Sequence, residues 1–353
     1  MILGGFMRCV SRGGIVCVCA AMVLGGTADA ADLDVAGIYK GRKIVFVSSS
    51  APGGGYDQYA RLLARHFGQH VQGEPSVIVQ NMPGAEGLKA ANYIYNIAPQ
   101  DGTYVGALPR TLSLSALYAH HGAQTFDPFG FQWLGSLKRD TGILVVNAQS
   151  GVRHPEDLKT HDVSLSSQAA NSPNSMFARM LNALYGSKLK PIEGYEGSTA
   201  GLLAVERAEV DGHITGGTPW PIKNKVGGWI AAGQANVILQ FGLERDMDFP
   251  DAPTVLELVN DPQARSLFAL AFTEQEIGSP FVLGPKVAPE RVAVLRQAFQ
   301  ETSRDPVFLA DARRENAPVH VVDDKGVAAL LGKAYNSPSD VIELLRALAA
   351  GKS

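Results

Sequence analysis

Cysteine is confined to one end of this 353-residue chain: Cys9, Cys17 and Cys19 all precede residue 30. The remaining residues hold no thiol, which excludes a disulfide framework, a cysteine nucleophile and a thiolate metal site there. Long apolar runs are missing too. The longest, residues 15–24, falls well short of the roughly 20 residues needed to span a bilayer. A basic surplus is absent, since 31 Lys and Arg stand against 34 Asp and Glu, and that argues against a nucleic-acid partner. The chain also lacks a G-x-S-x-G elbow, the Lys-Ser/Thr ending of a phosphate-binding P-loop and the G-x-G-x-x-G spacing of a dinucleotide site. No catalytic constellation is legible, so an enzyme is not expected. No cofactor and no metal are expected either.

The first thirty residues read as a cleaved export signal. Arg8 and Arg12 precede the apolar run, and Ala28-Asp29-Ala30 forms a small-x-small cleavage site. Periplasmic localisation is the expectation. Removing this segment would leave 323 residues with 29 basic and 33 acidic side chains, a net charge of −4. That length suffices for two domains, each with its own core.

Residues 45–57, V-F-V-S-S-S-A-P-G-G-G-Y-D, are the stretch around which the chain is organised. A β-rich run passes through three serines and three glycines into a helical pattern that opens at Asp57. Glycines let backbone N–H groups approach a ligand, and a helix N-terminus attracts an anion. The same residues also suit a tight turn with Asp57 capping its helix. A strand at 76–79, a second loop at 81–87, a helix through Ala91, Ile94 and Tyr95, and a strand at 104–108 come next. Alternating strands and helices imply right-handed βαβ units and a parallel sheet, with the ligand crevice at the strands' carboxyl ends.

A second block has strands at 143–147, 163–166, 192, 213–215 and 236–240. One helix starts at Ser172-Pro173 and ends near Gly186, and another starts at Ser198 or Thr199. The remainder reads as three helices, opened by Pro289, Asp305-Pro306 and Pro338, and one strand at 319–322, all packing onto the first block. Two crossings would then join two lobes at a hinge. The expected division is 1–30 as signal, 31–140 plus 255–353 as lobe 1, and 141–254 as lobe 2.

These segments resemble the substrate-binding receptors of tripartite tricarboxylate transporters, the TctC or Bug family. The resemblance rests on Pro52-Gly53-Gly54-Gly55-Tyr56-Asp57, Val79-Gln80-Asn81-Met82-Pro83-Gly84-Ala85, Ala98-Pro99-Gln100-Asp101-Gly102-Thr103, Gly194-Tyr195-Glu196-Gly197-Ser198 and Val210-Asp211-Gly212. It implies an α/β, two-lobed periplasmic-binding-protein fold (type II, Venus-flytrap) that closes on a small organic acid. It further implies delivery to the membrane permease subunits by a monomeric receptor, with one carboxylate held largely by backbone amides and water. A receptor feeding a sensor kinase, and a secreted α/β enzyme using the same cleft, are the alternatives.

The expected ligand contacts are Ser49, Ser50, Gly54, Gly55, Asp57, Gly84 and Ala85 from the first lobe, and Ser167, Gln168, Ser172, Ser198, Thr199 and Thr218 from the second. Amides of Gly54, Gly55 and Ala85 would bind the carboxylate while Asp57 orders the loop. The chain departs from the family at Ser48, Ser49 and Ser50, at Glu86, and at the hydroxyl-rich loop 166–172. After the strand at 213–215 it reads Thr-Gly-Gly-Thr, where amino-acid receptors carry an acidic residue, and this favours an uncharged or purely acidic ligand. Glu86 is read as turning outward or as shaping ligand choice. His66 and His70, and His120-His121, are read as solvated, Trp220 and Trp229 as core and inter-lobe packing, and Arg110 as solvated or as a contact for a second carboxylate.

Overall fold

The structure, a computed structural model, describes residues 35–117, 124–170, 172–217 and 220–350. The expected signal, His120-His121 and Thr218 lie outside them. The described strands are β1 (Lys43–Ser48), β2 (Ser76–Asn81), β3 (Tyr104–Ala107), β4 (Gln132–Ser136), β5 (Gly142–Asn147), β6 (Val163–Ser166), β7 (Leu189–Ile192), β8 (Gly212–Ile214), β9 (Ala235–Phe241), β10 (Pro280–Leu283) and β11 (Val322–Asp323). They form two sheets, in the orders β11-β4-β10-β3-β1-β2 and β7-β6-β8-β5-β9. The α-helices are α1 (Val35–Tyr39), α2 (Gly55–Phe67), α3 (Leu88–Asn96), α4 (Pro173–Tyr185), α5 (Gly197–Glu206), α6 (Trp220–Ala231), α7 (Val255–Leu258), α8 (Pro262–Glu276), α9 (Pro289–Arg304), α10 (Pro306–Arg314), α11 (Asp324–Tyr335) and α12 (Ser339–Ala349). The result is a two-lobed α/β fold.

Strands β1, β2 and β3 pair in parallel, as the βαβ pattern predicts. The first sheet is mixed rather than parallel, however, because β10 inserts antiparallel between β3 and β4. The chain returns from the second sheet at that point and enters from the opposite end. In the second sheet β6 is parallel to β7 and β8, while β5 runs antiparallel to β8 and β9.

The chain crosses between the sheets twice, and the two crossings are bonded to each other. Asp140 N–H donates to Gln275 O at 2.8 Å, Gly278 N–H to Lys138 O at 2.8 Å and Leu137 N–H to Ser279 O at 3.2 Å.

Helix α4 begins after Ser172 with Pro173 at its first position and ends on Gly186, whose φ of 78° suits glycine. Helix α2 begins at Gly55, two residues before the expected start. Beyond residue 254 the described residues form six helices and two strands, against the expected three and one. Helix α8 escapes a search for amphipathic stripes because its last seven residues are all buried, polar ones included. Helices α9 and α10 pack on the first lobe as expected, whereas α12 rests on α8 and α4. The largest apolar cluster runs from Val45 and Val47 through Leu144, Val146 and Phe241 to Leu345. That cluster spans both lobes, and each lobe also holds a cluster of its own, around Phe46, Leu62 and Phe299 in the first and around Ile143 and Val226 in the second.

Two histidines also differ from expectation. His66 Nε2 lies 2.9 Å from Asp311 Oδ2, and His70 Nε2 lies 3.0 Å from Asp305 Oδ2. His66 ties α2, and His70 the turn just after it, to the α10 region instead of facing solvent. Trp229 is buried in a cluster of the second lobe with Ile143 and Val226.

Candidate functional site

The β1 strand ends in the serines and passes into the glycine loop. Asp57, 1 % exposed, holds that loop. Its Oδ2 accepts from Gly53 N–H and Arg61 Nε, both at 2.8 Å, and its Oδ1 accepts from Asn81 Nδ2 at 2.7 Å. Burial alone would raise the Asp57 pKa, but the hydrogen bonds from Arg61, Gly53 and Asn81 outweigh it and hold the carboxyl below its ordinary value. Asn81 Nδ2 also donates to Ser50 O at 2.9 Å, so the loops after β1 and β2 are fastened together. Ser50 Oγ accepts the Asp57 N–H at 2.9 Å. Ser49 is 7 % exposed, and its buried Oγ has no partner among the described residues.

The Gly54 amide donates to Ala51 O at 3.0 Å, which takes it out of the expected carboxylate-binding set. The next two amides, on Gly55 and Tyr56, open α2 and have no acceptor among the described residues.

Four consecutive residues of the second loop have positive φ: Gly84 at 135°, Ala85 at 47°, Glu86 at 52° and Gly87 at 92°. For Ala85 and Glu86 this costs on the order of 1 kcal/mol each. Packing enforces the turn, because a Cβ on Gly87 would lie 2.5 Å from Pro109 Cγ and 3.3 Å from Ser49 Cβ.

The second-lobe serines turn on one another. Ser167 Oγ lies 2.6 Å from Ser175 Oγ and 3.0 Å from Ser172 Oγ, and Ser172 Oγ donates to Ala169 O at 2.6 Å. Their hydroxyls brace the loop from inside, while Gln168 and Thr199 are exposed. Ser198 is half-buried and shares a cavity of about 370 Å³ with Gly55, Tyr56, Arg110, Asp140 and Gly216. Residues following β1 and β7, on different sheets, meet there.

Arg110 crosses this cavity. Its Nη1 lies 2.6 Å from Asp140 Oδ2 and its Nη2 donates to Gly216 O at 2.6 Å. Lys138 Nζ lies 2.5 Å from the other Asp140 oxygen. Arg110 is thus not solvated and both its terminal nitrogens are engaged, while its buried Nε has no partner among the described residues.

A second cavity, of about 460 Å³, is lined by Glu86, Leu88, Leu112, Met176, Glu274 and Arg346 among others. Glu274 is 3 % exposed. Burial raises its pKa, opposed by the charge of Arg110. Tyr56, Asp140, Gly216 and Glu274 were not among the expected contacts. No local pattern marks them: Tyr56 opens α2, Asp140 lies in the first crossing, Gly216 follows β8 and Glu274 lies near the end of α8.

Among the described residues no group of three or more His, Cys, Asp or Glu could hold a metal ion, and no helix is long and apolar enough to cross a membrane.

No family model matches the chain, and no curated protein matches it. Solved structures do. A TctC solute-binding protein from Polaromonas, without ligand, superposes with a TM-score of 0.67 at 18% identity, over 88% of this chain and 99% of that one. The periplasmic binding protein BugD gives 0.59 at 18% identity, over 88% and 98%. An R. palustris protein solved with adipate gives 0.60 at 17% identity, over 88% and 98%. The chain therefore has the fold of the TctC and Bug periplasmic binding proteins. MatC from Rhodopseudomonas palustris, solved with malate, shares it with a TM-score of 0.54 at 16% identity, over 87% and 99%.

Proposed function

We propose that this chain is a periplasmic solute-binding receptor of the TctC/Bug type that captures a small organic carboxylate between its lobes and delivers it to a tripartite tricarboxylate-type membrane permease. The observation that carries this reading is the pairing, across one cavity, of the unaccepted Gly55 and Tyr56 amides with Ser198 of the facing lobe. Two amides at a helix start favour a carboxylate through both hydrogen bonds and the helix dipole. Ala85 in its left-handed turn supplies a further amide, and Ser49 Oγ a hydroxyl that lacks a partner among the described residues. Asp57, Ser50, Ser167 and Ser172 act by shaping the loops. Gln168, Thr199 and Gly84 complete the proposed rim. Lobe 1 takes residues 31–140 and 255–353 and lobe 2 residues 141–254, and the bonded crossings form the hinge on which ligand shifts the population toward closure. The chain works as a monomer, without a cofactor, and turns nothing over.

Adipate and malate, found in two solved structures of this fold, head the test panel. The protein lacking residues 1–30 is melted against aliphatic, hydroxylated, aminated and aromatic carboxylates. A ligand at about 100 times its Kd should add roughly 2.7 kcal/mol of stability. Absence of any shift across the panel overturns the receptor reading, and turnover of a bound acid replaces it with an enzyme.

A further inference from the structure

Glu274 stands out among the acidic groups of the cleft. It lies near the end of α8, is 3 % exposed, and its side chain makes no hydrogen bond or ion pair with any described residue. Arg110, whose charge acts on it, gives both terminal nitrogens to Asp140 and Gly216 O and keeps a buried Nε without a partner among the described residues. A carboxyl in this position is costly to leave unpaired, and the cost falls when a donor or a cation enters beside it. It lines the 460 Å³ cavity, which also receives Glu86 from the strained second loop. Leu88, Leu112 and Met176 give the same cavity an apolar part, beside Thr111 and Ser115. Among the described residues the one cation at the cavity is Arg346, exposed at the rim, its Nε donating to Leu117 O at 2.6 Å. Gln124 adds a buried Oε1 without a partner among the described residues, a second acceptor at the same space.

We infer that this cavity is an ammonium subsite: the receptor's ligand is a carboxylic acid that carries an ammonium group on an apolar body, and Glu274 pairs with that ammonium. The inference rests on the receptor reading and narrows its substrate class. It opposes the sequence expectation of an uncharged or purely acidic ligand, which looked for an acidic residue only after the strand at 213–215. The rim guanidinium of Arg346 and the Ala85 amide, next to Glu86 in the β2 loop, receive the carboxylate. Acceptors without donors, Glu274 Oε, Glu86 Oε and Gln124 Oε1, receive the ammonium. A second carboxylate in this space would meet the like charge of Glu86 and Glu274.

The test uses two matched sets, hexanoate, adipate and 6-aminohexanoate, and 4-methylpentanoate and leucine, titrated calorimetrically into the protein lacking residues 1–30. In at least one set the aminated acid should bind more tightly than its partners by at least about tenfold. Glu274→Gln keeps the shape and should erase that preference while leaving the weaker, non-aminated acids unchanged. Its ligand-free melt reports whether it folds, and the wild-type series stands without it. A best ligand that carries no ammonium overturns the inference and leaves the receptor reading intact. An ammonium preference that persists in Glu274→Gln overturns the role of Glu274. If no carboxylate binds at all, the receptor reading falls and this inference falls with it.

Discussion

His213 shows how a single residue couples packing to pH. It is 1 % exposed, its Nδ1 lies 2.9 Å from Ser166 Oγ, and its Nε2 has no partner among the described residues. Burial lowers its pKa from 6.5 to about 4. The unfolded chain therefore binds a proton that the folded chain refuses between those values. Stability is fully present above 6.5 and declines as pH falls toward 4, by on the order of 3 kcal/mol from this group. Urea unfolding across that range should show the decline, and His213→Gln should flatten it. Gly201 packs against the same ring, where a Cβ would overlap Nδ1. Gly201→Ala should cost roughly 1–3 kcal/mol in the same assay. Asp57 belongs to this scale as well. Its place at a helix start was legible, and so was its role in ordering the loop, because a carboxylate two residues inside a glycine-led helix has few other uses. Asp57→Ala removes the acceptor for Gly53 N–H, Arg61 and Asn81, and should lower stability by roughly 2–3 kcal/mol. Glu274 was not legible, since nothing within its helix distinguishes a carboxyl facing a cavity from one facing water.

Among elements, the two crossings run paired side by side. Three backbone hydrogen bonds join residues 137–140 to 275–279. A Cβ on Gly278 would stand 2.8 Å from Lys138 O and 3.0 Å from Asp140 Oδ2. Gly278→Ala must push the crossings apart, so a melting point lowered by several degrees is expected, together with weaker ligand affinity. Loss of neither would show that the crossings tolerate separation. The same elements mark where sequence reading failed. Capped helices such as α4 were found at the right residues, because Ser172, Pro173 and Gly186 are local signals. Helix α8 and strand β10 were missed. One is buried without an amphipathic stripe, and the other is a four-residue apolar run that owes its place to antiparallel neighbours 140 residues or more away in sequence.

At the scale of the whole molecule, Arg110 is a side chain that reaches from the first sheet toward the second. Arg110 follows β3 in the first sheet, and its Nη2 bonds the carbonyl of Gly216, just beyond β8 of the second. Arg110→Ala leaves Asp140 with only Lys138 and removes this link to Gly216. Removing one partner of a buried pair costs about 3–5 kcal/mol, and the remaining lysine should hold the loss near or below that lower figure. Small-angle scattering of the ligand-free variant should report a larger radius of gyration, and an unchanged radius would mean that the shared core alone sets the lobe angle.

The sequence by itself determined the secondary elements that carry local signals, the two glycine-bearing loops and the α/β class, because caps, turns and periodicity act over a few residues. Only the tertiary structure decided which amides stay free. It spent Gly54 on Ala51, turned Ser167 and Ser172 inward, and aimed Glu274 into a cavity. Those outcomes depend on partners brought together from distant parts of the chain, and no local pattern encodes which hydrogen bond a group will finally make.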